Sequence, residues 1–273
     1  MKITFLGAGV FGEALAKIAR YNGHEIKFYD PIKYPEIELS SAVSGADIII
    51  YTAPSDKHAE ILPFLAKDVP LVCASKGFLS KQPFSNFSNF SALGGAAFAN
   101  QISEDAKISF TVSSELLEHI FSTETIKIEY TADTLGIMLC GALKNIYAIG
   151  AGMFGDKKES EQNSADGKSN FDQSYLVPYF TSVANEMRDI LKANGANEDT
   201  LKLSCGLPDL VLSSSPDSRN FRFGEAIKYE RKKEDATIEG LSVINDIKEY
   251  SDFVIPSSAN ILMDIIEKVK SYK

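Results

Sequence analysis

The chain of 273 residues has no tryptophan, only three histidines and no excess of basic charge. Lysine and arginine together number 28 against 37 aspartates and glutamates, which gives a formal net charge of -9. A chain with this balance has no overall positive field to attract a phosphate backbone or an anionic lipid surface. We therefore expect neither nucleic acid nor a membrane as a partner.

Cysteine is also scarce. Cys73, Cys140 and Cys205 form no CxxC pair, and each lies in an apolar or strand-like segment. This pattern predicts reduced thiols that serve in packing, as is typical of a cytoplasmic protein. The histidines lack the spacing of metal ligands, so no metal site is expected. They are His24, His58 and His119.

Long apolar runs are nearly absent. The first six residues are too short for the apolar region of a signal peptide and predict a strand instead. The run 134–153, about 20 residues long, has the length to cross a bilayer. Its single charge, Lys144 at mid-span, would be costly in lipid, and its glycines suit close helix packing. We therefore favour a buried core helix over a membrane span.

The first half of the chain alternates short β-rich runs with helical stretches, which indicates an α/β fold with a parallel sheet. The predicted strands cover 3–6, 26–29, 47–51, 71–74, 108–112 and 126–130. A helix is expected over 13–21, before Asn22-Gly23, and Asp56 is expected to cap a second helix toward Leu65.

The second half is predicted to be helical. Apolar residues recur at spacings of three and four over 134–153, 174–194, 241–250 and 259–270. This change of period, in a chain with 44% hydrophobic residues, predicts two domains, 1–130 and 131–273. The polar stretch 156–171 shows no apolar period and predicts a mobile surface loop.

A glycine motif follows the first strand. In Gly7-Ala8-Gly9-Val10-Phe11-Gly12, the first glycine makes the turn, the second admits a pyrophosphate and the third lets helix and strand pack closely. Asp30 ends the second strand, where its carboxylate can accept hydrogen bonds from ribose hydroxyls and repel a 2'-phosphate. The motif predicts a Rossmann domain that binds NAD, with NADP possible because Lys27 and Lys33 lie nearby.

Lys144 interrupts an otherwise apolar helix. Buried lysines are rare unless they are paired or take part in chemistry. A lysine in a dry cleft near another cation has a lowered pKa and can exchange protons near neutral pH. The alternative is a lysine whose ammonium reaches water from a helix face.

Three blocks of sequence resemble the soluble NAD(P)-dependent glycerol-3-phosphate dehydrogenases. They are ASKGF at 74–78, GALKNIYAIGAGM at 141–153 and GLPDLVLSSSPDSRNFRFG at 206–224. The resemblance implies a Rossmann domain followed by an all-α domain like that of 6-phosphogluconate dehydrogenase. It also implies hydride transfer between a nicotinamide cofactor and glycerol 3-phosphate or dihydroxyacetone phosphate, a step that feeds phospholipid synthesis.

The same resemblance assigns roles to the residues at the reacting centre. Lys144 would be the proton donor or acceptor at the C2 oxygen of the substrate. Lys76 would polarise the ketone and hold down the pKa of Lys144. Asp209 would orient the lysine and bind the substrate hydroxyl.

Further residues would hold the phosphate and the cofactor by the same analogy. The phosphate of the substrate would be bound by Ser218, Arg219 and Asn220. Other substrate contacts are expected from Gly95 and Asn145. The residues expected beside the cofactor, in addition to the glycine motif and Asp30, are Lys76, Ala99, Arg219 and Glu239.

The chain departs from the family pattern in two places. At 94–100 it reads GGAAFAN, where the family has a proline and a hydroxyl residue, so Ala96 and Ala97 remove a polar contact. The segment from Asp30 to Asp47 is also shortened. These differences leave two alternatives open: a related dehydrogenase for another small phosphate ester or hydroxy acid, and an NAD(P)-binding protein without catalysis. The sequence leaves the oligomeric state open, with a homodimer as the expectation.

Overall fold

The computed structural model describes residues 1–97, 102, 106–155, 173–231 and 238–272. Within them seven strands form one sheet. The strands are β1 (Lys2–Leu6), β2 (Glu25–Tyr29), β3 (Ile48–Tyr51), β4 (Leu71–Cys73), β5 (Phe90–Gly95), β6 (Ile108–Val112) and β7 (Ile126–Tyr130). Their order in the sheet is β2-β1-β3-β4-β5-β6-β7. The predicted α/β class with an N-terminal Rossmann sheet is therefore confirmed.

All six predicted strands are present, and β5 is an addition. Its sequence, FSALGG, carries two glycines and a serine, which weaken the strand signal. The sheet is parallel as predicted except for one pair, since β5 and β6 pair antiparallel, with Leu93 opposite Val112. The glycines have a packing reason, because a Cβ on Gly94 would lie 3.0 Å from the Cβ of Cys205.

Ten helices accompany the sheet in the described residues. They are α1 (Val10–Tyr21), α2 (Leu39–Val43), α3 (His58–Ile61), α4 (Leu116–Phe121), α5 (Thr134–Phe154), α6 (Val177–Ala193), α7 (Leu207–Ser213), α8 (Arg219–Lys228), α9 (Glu239–Asp246) and α10 (Asn260–Ser271). The four helical segments predicted in the second half correspond to α5, α6, α9 and α10. The helices α7 and α8 were not predicted. The C-terminal helical domain is confirmed.

The predicted cap at Asp56 is wrong. The chain there forms a 3-10 turn, Ser55–Lys57, and then the single turn of α3, and neither has a side-chain cap. Pro63 follows within the next 3-10 turn, Leu62–Phe64. Since proline has no backbone N–H and clashes with the preceding turn, it prevents α3 from growing into a longer helix.

Helix α5 lies at the centre of the molecule. It is the one helix in the described part of the chain that is long and apolar enough to cross a membrane, and 94% of its most apolar stretch is buried inside the protein. Leu139 and Ile146 of α5 belong to the same core cluster as Leu6 and Tyr51 of the sheet. The core helix predicted from the sequence is thus observed, and it joins the sheet to the helical domain.

Candidate active site

The glycine motif forms the turn between β1 and α1. Gly7 has φ +109°, in the left-handed region, and a Cβ there would lie 2.7 Å from the backbone nitrogen of Ala53. A Cβ on Gly12 would lie 2.5 Å from the carbonyl oxygen of Gly7, so only glycine allows this close packing. Gly9, by contrast, faces open space. The turn therefore leaves room for a pyrophosphate at the N-terminus of α1.

Asp30 stands beside this turn. Its Oδ2 accepts a hydrogen bond from the amide of Ala8 at 2.8 Å, and its Oδ1 accepts from the amides of Ile32 and Lys33 at 3.0 Å each. Partial burial raises the pKa of Asp30, but the three amide hydrogen bonds outweigh it and hold the pKa below its ordinary value. The carboxylate is therefore ionised and fixed where ribose hydroxyls can reach its remaining lone pairs.

Two lysines and one aspartate form a cluster of which Lys144 and Asp209 are buried and Lys76 is partly buried. The ammonium of Lys144 donates to Oδ1 of Asp209 at 2.7 Å, and that of Lys76 donates to Oδ2 at 3.4 Å. The side chains of Lys144 and Asp209 are 5% and 2% exposed, whereas that of Lys76 is 21% exposed. The prediction of a buried lysine is confirmed, and its partner Asp209 is buried as well.

The environment of Lys144 tunes its acidity. Burial lowers its pKa to about 8, and the charge of Lys76 adds to this effect, while Asp209 opposes both. A lysine with this pKa exists in both protonation states near neutral pH, as a general acid and base requires. The ammonium of Lys76 also lies 5.2 Å from the ring centroid of Phe11, which brings the cluster to the glycine motif.

Ser213 completes the surroundings of Lys144 and was missed by the sequence analysis. Its hydroxyl accepts a hydrogen bond from the Lys144 ammonium at 2.8 Å. Ser213 follows Asp209 by four residues on α7, so both side chains lie on one face of the helix. That spacing was the available signal, and it was hidden in a run of three serines.

A chain of amide hydrogen bonds links the cluster to the neighbouring helices. Asn145 donates to the carbonyl of Lys76 at 3.3 Å and accepts from the side chain of Asn220 at 3.0 Å. Asn220 in turn accepts from the backbone amide of Gly240 at 2.9 Å. Both asparagines are buried, so these contacts fix the loop that carries Lys76 against α5, α8 and α9.

Ser218 and Arg219 lie at the N-terminus of α8. Ser218 is the N-cap residue, and its hydroxyl accepts from the amide of Phe221 at 3.5 Å. The guanidinium of Arg219 forms an ion pair with Glu239, and both side chains are about half exposed. A helix N-terminus with an adjacent guanidinium is suited to bind a phosphate group.

Some of the predicted residues are not brought into this cluster by any described contact. Gly95 ends β5, and Val10 is largely exposed beside the glycine turn. Ala97 is 4% exposed and packs in the core on one face of the sheet. Ala99 and the polar stretch 156–171 lie outside the described residues.

Comparison with known proteins gives a consistent match. Residues 133–271 match the family model described as the NAD-dependent glycerol-3-phosphate dehydrogenase C-terminus. The chain is 25% identical to glycerol-3-phosphate dehydrogenase [NAD(P)+] of Actinobacillus pleuropneumoniae serotype 5b, over 98% of this chain and 90% of that protein. It is 29% identical to the enzyme of that name from Agrobacterium fabrum, over 83% and 79% of the two chains.

The fold has the same relatives among solved structures. The crystal structure of glycerol-3-phosphate dehydrogenase from Coxiella burnetii superimposes with a TM-score of 0.76, covering 99% of this chain and 98% of that chain at 20% identity. The shared architecture therefore extends over the whole chain, including the Rossmann half that the family model does not cover.

Proposed function

The chain belongs to the NAD-dependent glycerol-3-phosphate dehydrogenase family, and we propose that the Lys144–Asp209–Lys76 cluster carries the proton transfer of its reaction. As a member of this family, the protein is an oxidoreductase that uses a nicotinamide dinucleotide and interconverts glycerol 3-phosphate and dihydroxyacetone phosphate. The observation that carries the proposal is a buried lysine whose pKa is about 8, paired with a buried aspartate beside the glycine motif.

A bound dinucleotide supplies the hydride donor or acceptor. In the direction of ketone reduction, Lys144 donates its proton to the C2 oxygen as that oxygen gains negative charge. Lys76 stabilises the same charge through its ammonium. Asp209 accepts a hydrogen bond from both ammonium groups, and Ser213 accepts a second one from Lys144, which leaves the third N–H of Lys144 for the substrate oxygen. In the reverse direction, neutral Lys144 accepts the hydroxyl proton.

We further propose that Ser218 and Arg219 bind the phosphate of the substrate. Because both polar atoms of Asn220 already have protein partners, its main contribution is to position the site, and a substrate contact would be an additional hydrogen bond. The dinucleotide would lie along Gly7 to Gly12, with its ribose at Asp30. The side chain of Ile32, 92% exposed in the same turn, offers an apolar surface to the adenine.

The proposal is tested by mixing purified protein with NADH or NADPH and dihydroxyacetone phosphate and following the nicotinamide absorbance. Wild-type protein should oxidise the cofactor, and Lys144→Met should lower kcat by roughly 10²- to 10⁴-fold. Lys202→Met, which changes a lysine with a 77% exposed side chain, is the matched control. Full activity in a folded Lys144→Met variant would refute the role of Lys144.

A related substrate remains the second candidate, because Ala97 is buried and offers no hydroxyl. A panel of small phosphorylated ketones and hydroxy acids separates the two candidates. Turnover of dihydroxyacetone phosphate alone would remove the second. Membership in a dehydrogenase family argues against the non-catalytic alternative.

We also propose a cytoplasmic location and retain the prediction of a homodimer. The three thiols form no disulfide and are buried, which suits a reducing compartment. Burial also raises the pKa of Cys73 to about 12, so its thiol is unreactive. Light scattering of purified protein tests the oligomeric state, and fractionation of the source cells tests the location. We propose the domain division at residues 130 and 131, between the end of β7 and the start of α5.

A further inference from the structure

The turn after β2 places a lysine beside the carboxylate expected to bind the ribose. Oδ1 of Asp30 accepts a hydrogen bond from the backbone amide of Lys33 at 3.0 Å, so the backbone of Lys33 lies beside the Asp30 carboxylate. Its positive charge also acts on Asp30. A lysine at this corner is a ready partner for the 2'-phosphate that distinguishes NADP from NAD.

Lys33 is not free for that role. Its ammonium forms an ion pair with Glu13, which lies in the first turn of α1 directly after the glycine motif. The hydrogen bond to Glu13 raises the pKa of Lys33, so the lysine remains charged while its charge is neutralised. Both side chains are about half exposed, which leaves them within reach of a bound dinucleotide.

We propose that Glu13 sets the cofactor preference of this enzyme by holding Lys33 in an ion pair and so denying it to a 2'-phosphate. This inference rests on the proposed nucleotide site at Gly7 to Gly12 and Asp30. The Glu13–Lys33 pair is neutral as a unit, which leaves the negative charge of Asp30 to dominate the ribose corner. A 2'-phosphate adds about two further negative charges there, so NAD is selected.

The test compares four proteins: wild type, Glu13→Gln, Lys33→Met and the double variant. Calorimetric titration with NAD⁺ and with NADP⁺ gives the ratio of the Kd for NADP⁺ to the Kd for NAD⁺, a readout that does not depend on turnover. Glu13→Gln frees a cation and should lower this ratio by roughly fivefold. Lys33→Met should raise it. The double variant restores neutrality and should return to the wild-type ratio.

Asp199→Asn is the matched control, since it also removes a carboxylate from an exposed lysine pair, with Lys202, at another place. Its ratio should equal that of wild type. The inference is overturned if Glu13→Gln leaves the ratio unchanged, if the double variant keeps the ratio of Glu13→Gln, or if Asp199→Asn shifts the ratio equally. Wild-type protein that bound neither dinucleotide would refute the nucleotide site itself, and the role of Glu13 with it.

Discussion

Replacing Lys76 should move the pH dependence of catalysis upward. With Lys144 as the proposed proton donor, ketone reduction needs this lysine protonated, so kcat/KM for dihydroxyacetone phosphate should fall as the pH rises through about 8 in the wild-type enzyme. Lys76 lowers the pKa of Lys144, because a second positive charge disfavours protonation. Lys76→Met removes that charge, and the falling limb should therefore appear at higher pH.

The size of the shift follows from the geometry. The two ammonium groups share Asp209 at 2.7 and 3.4 Å, so they lie no more than about 8 Å apart. At that separation and an effective dielectric constant of ~20, two unit charges interact by ~2 kcal/mol, which equals ~1.5 pKa units. Since the Lys76 side chain is 21% exposed, solvent screens part of this interaction, and we expect a shift of about one unit.

The assay records initial rates of NADH oxidation between pH 6 and 10, with the cofactor saturating. Asp209→Asn should shift the falling limb of the pH profile in the opposite direction, to lower pH, because Asp209 raises the pKa of Lys144. Lys202→Met should leave the profile of the wild type. A limb that stays at the same pH in Lys76→Met, or that moves downward, would refute the electrostatic reasoning.

Three further predictions concern stability. Gly152→Ala should lower the free energy of unfolding by about 3 kcal/mol in urea titrations, since its Cβ would lie 2.1 Å from the carbonyl oxygen of Phe221. Gly141→Ala on the same helix is the control, because its Cβ would meet only ordinary contacts at 3.8 Å. An equal loss of stability in Gly141→Ala would contradict this reason. Glu186→Gln should cost about 2 kcal/mol in the same titration, because this buried carboxylate accepts bonds from Tyr147 and from two amides at the start of α10; an unchanged midpoint would contradict it. Partial burial raises the pKa of Glu129, but hydrogen bonds from the Ser204 hydroxyl and amide outweigh it and leave the pKa lowered. The stabilisation by Glu129 is therefore present above about pH 4.5 and is lost as the pH falls through the lower pKa of the folded state. The difference in stability between wild type and Glu129→Gln should therefore shrink in acid, and a constant difference would contradict the assignment.

The sequence predicted the strands that are buried on both faces, because such strands are continuous apolar runs. Ile48–Tyr51 and Leu71–Cys73 are examples. It did not predict β5, because Gly94 is required by its packing against Ile137 of α5 and Gly95 by its close approach to Ser109 of β6. The antiparallel pairing of β5 with β6 was missed for a similar reason, since strand direction depends on connections that the local pattern does not contain.

The site shows the same division. Lys144 could be singled out because a charge within an apolar helix is visible in the sequence, whereas the ion pair of Lys33 with Glu13 depends on how the turn after β2 meets α1. The amide chain from Asn145 through Asn220 to Gly240 joins residues 75 and 20 positions apart. Contacts over such separations follow from tertiary packing, and no local period reveals them.

The reactive cluster exists only where the two halves of the chain meet. Lys76 follows β4 of the sheet, whereas Lys144 and Asp209 belong to α5 and α7 of the helical half. With both lysines protonated, one carboxylate faces two ammonium groups, and the buried cluster keeps a net positive charge that the surrounding core disfavours. An anionic substrate relieves this cost by binding, and Lys144 relieves it by releasing a proton. The burial that lowers the pKa of Lys144 thus also favours an anionic substrate.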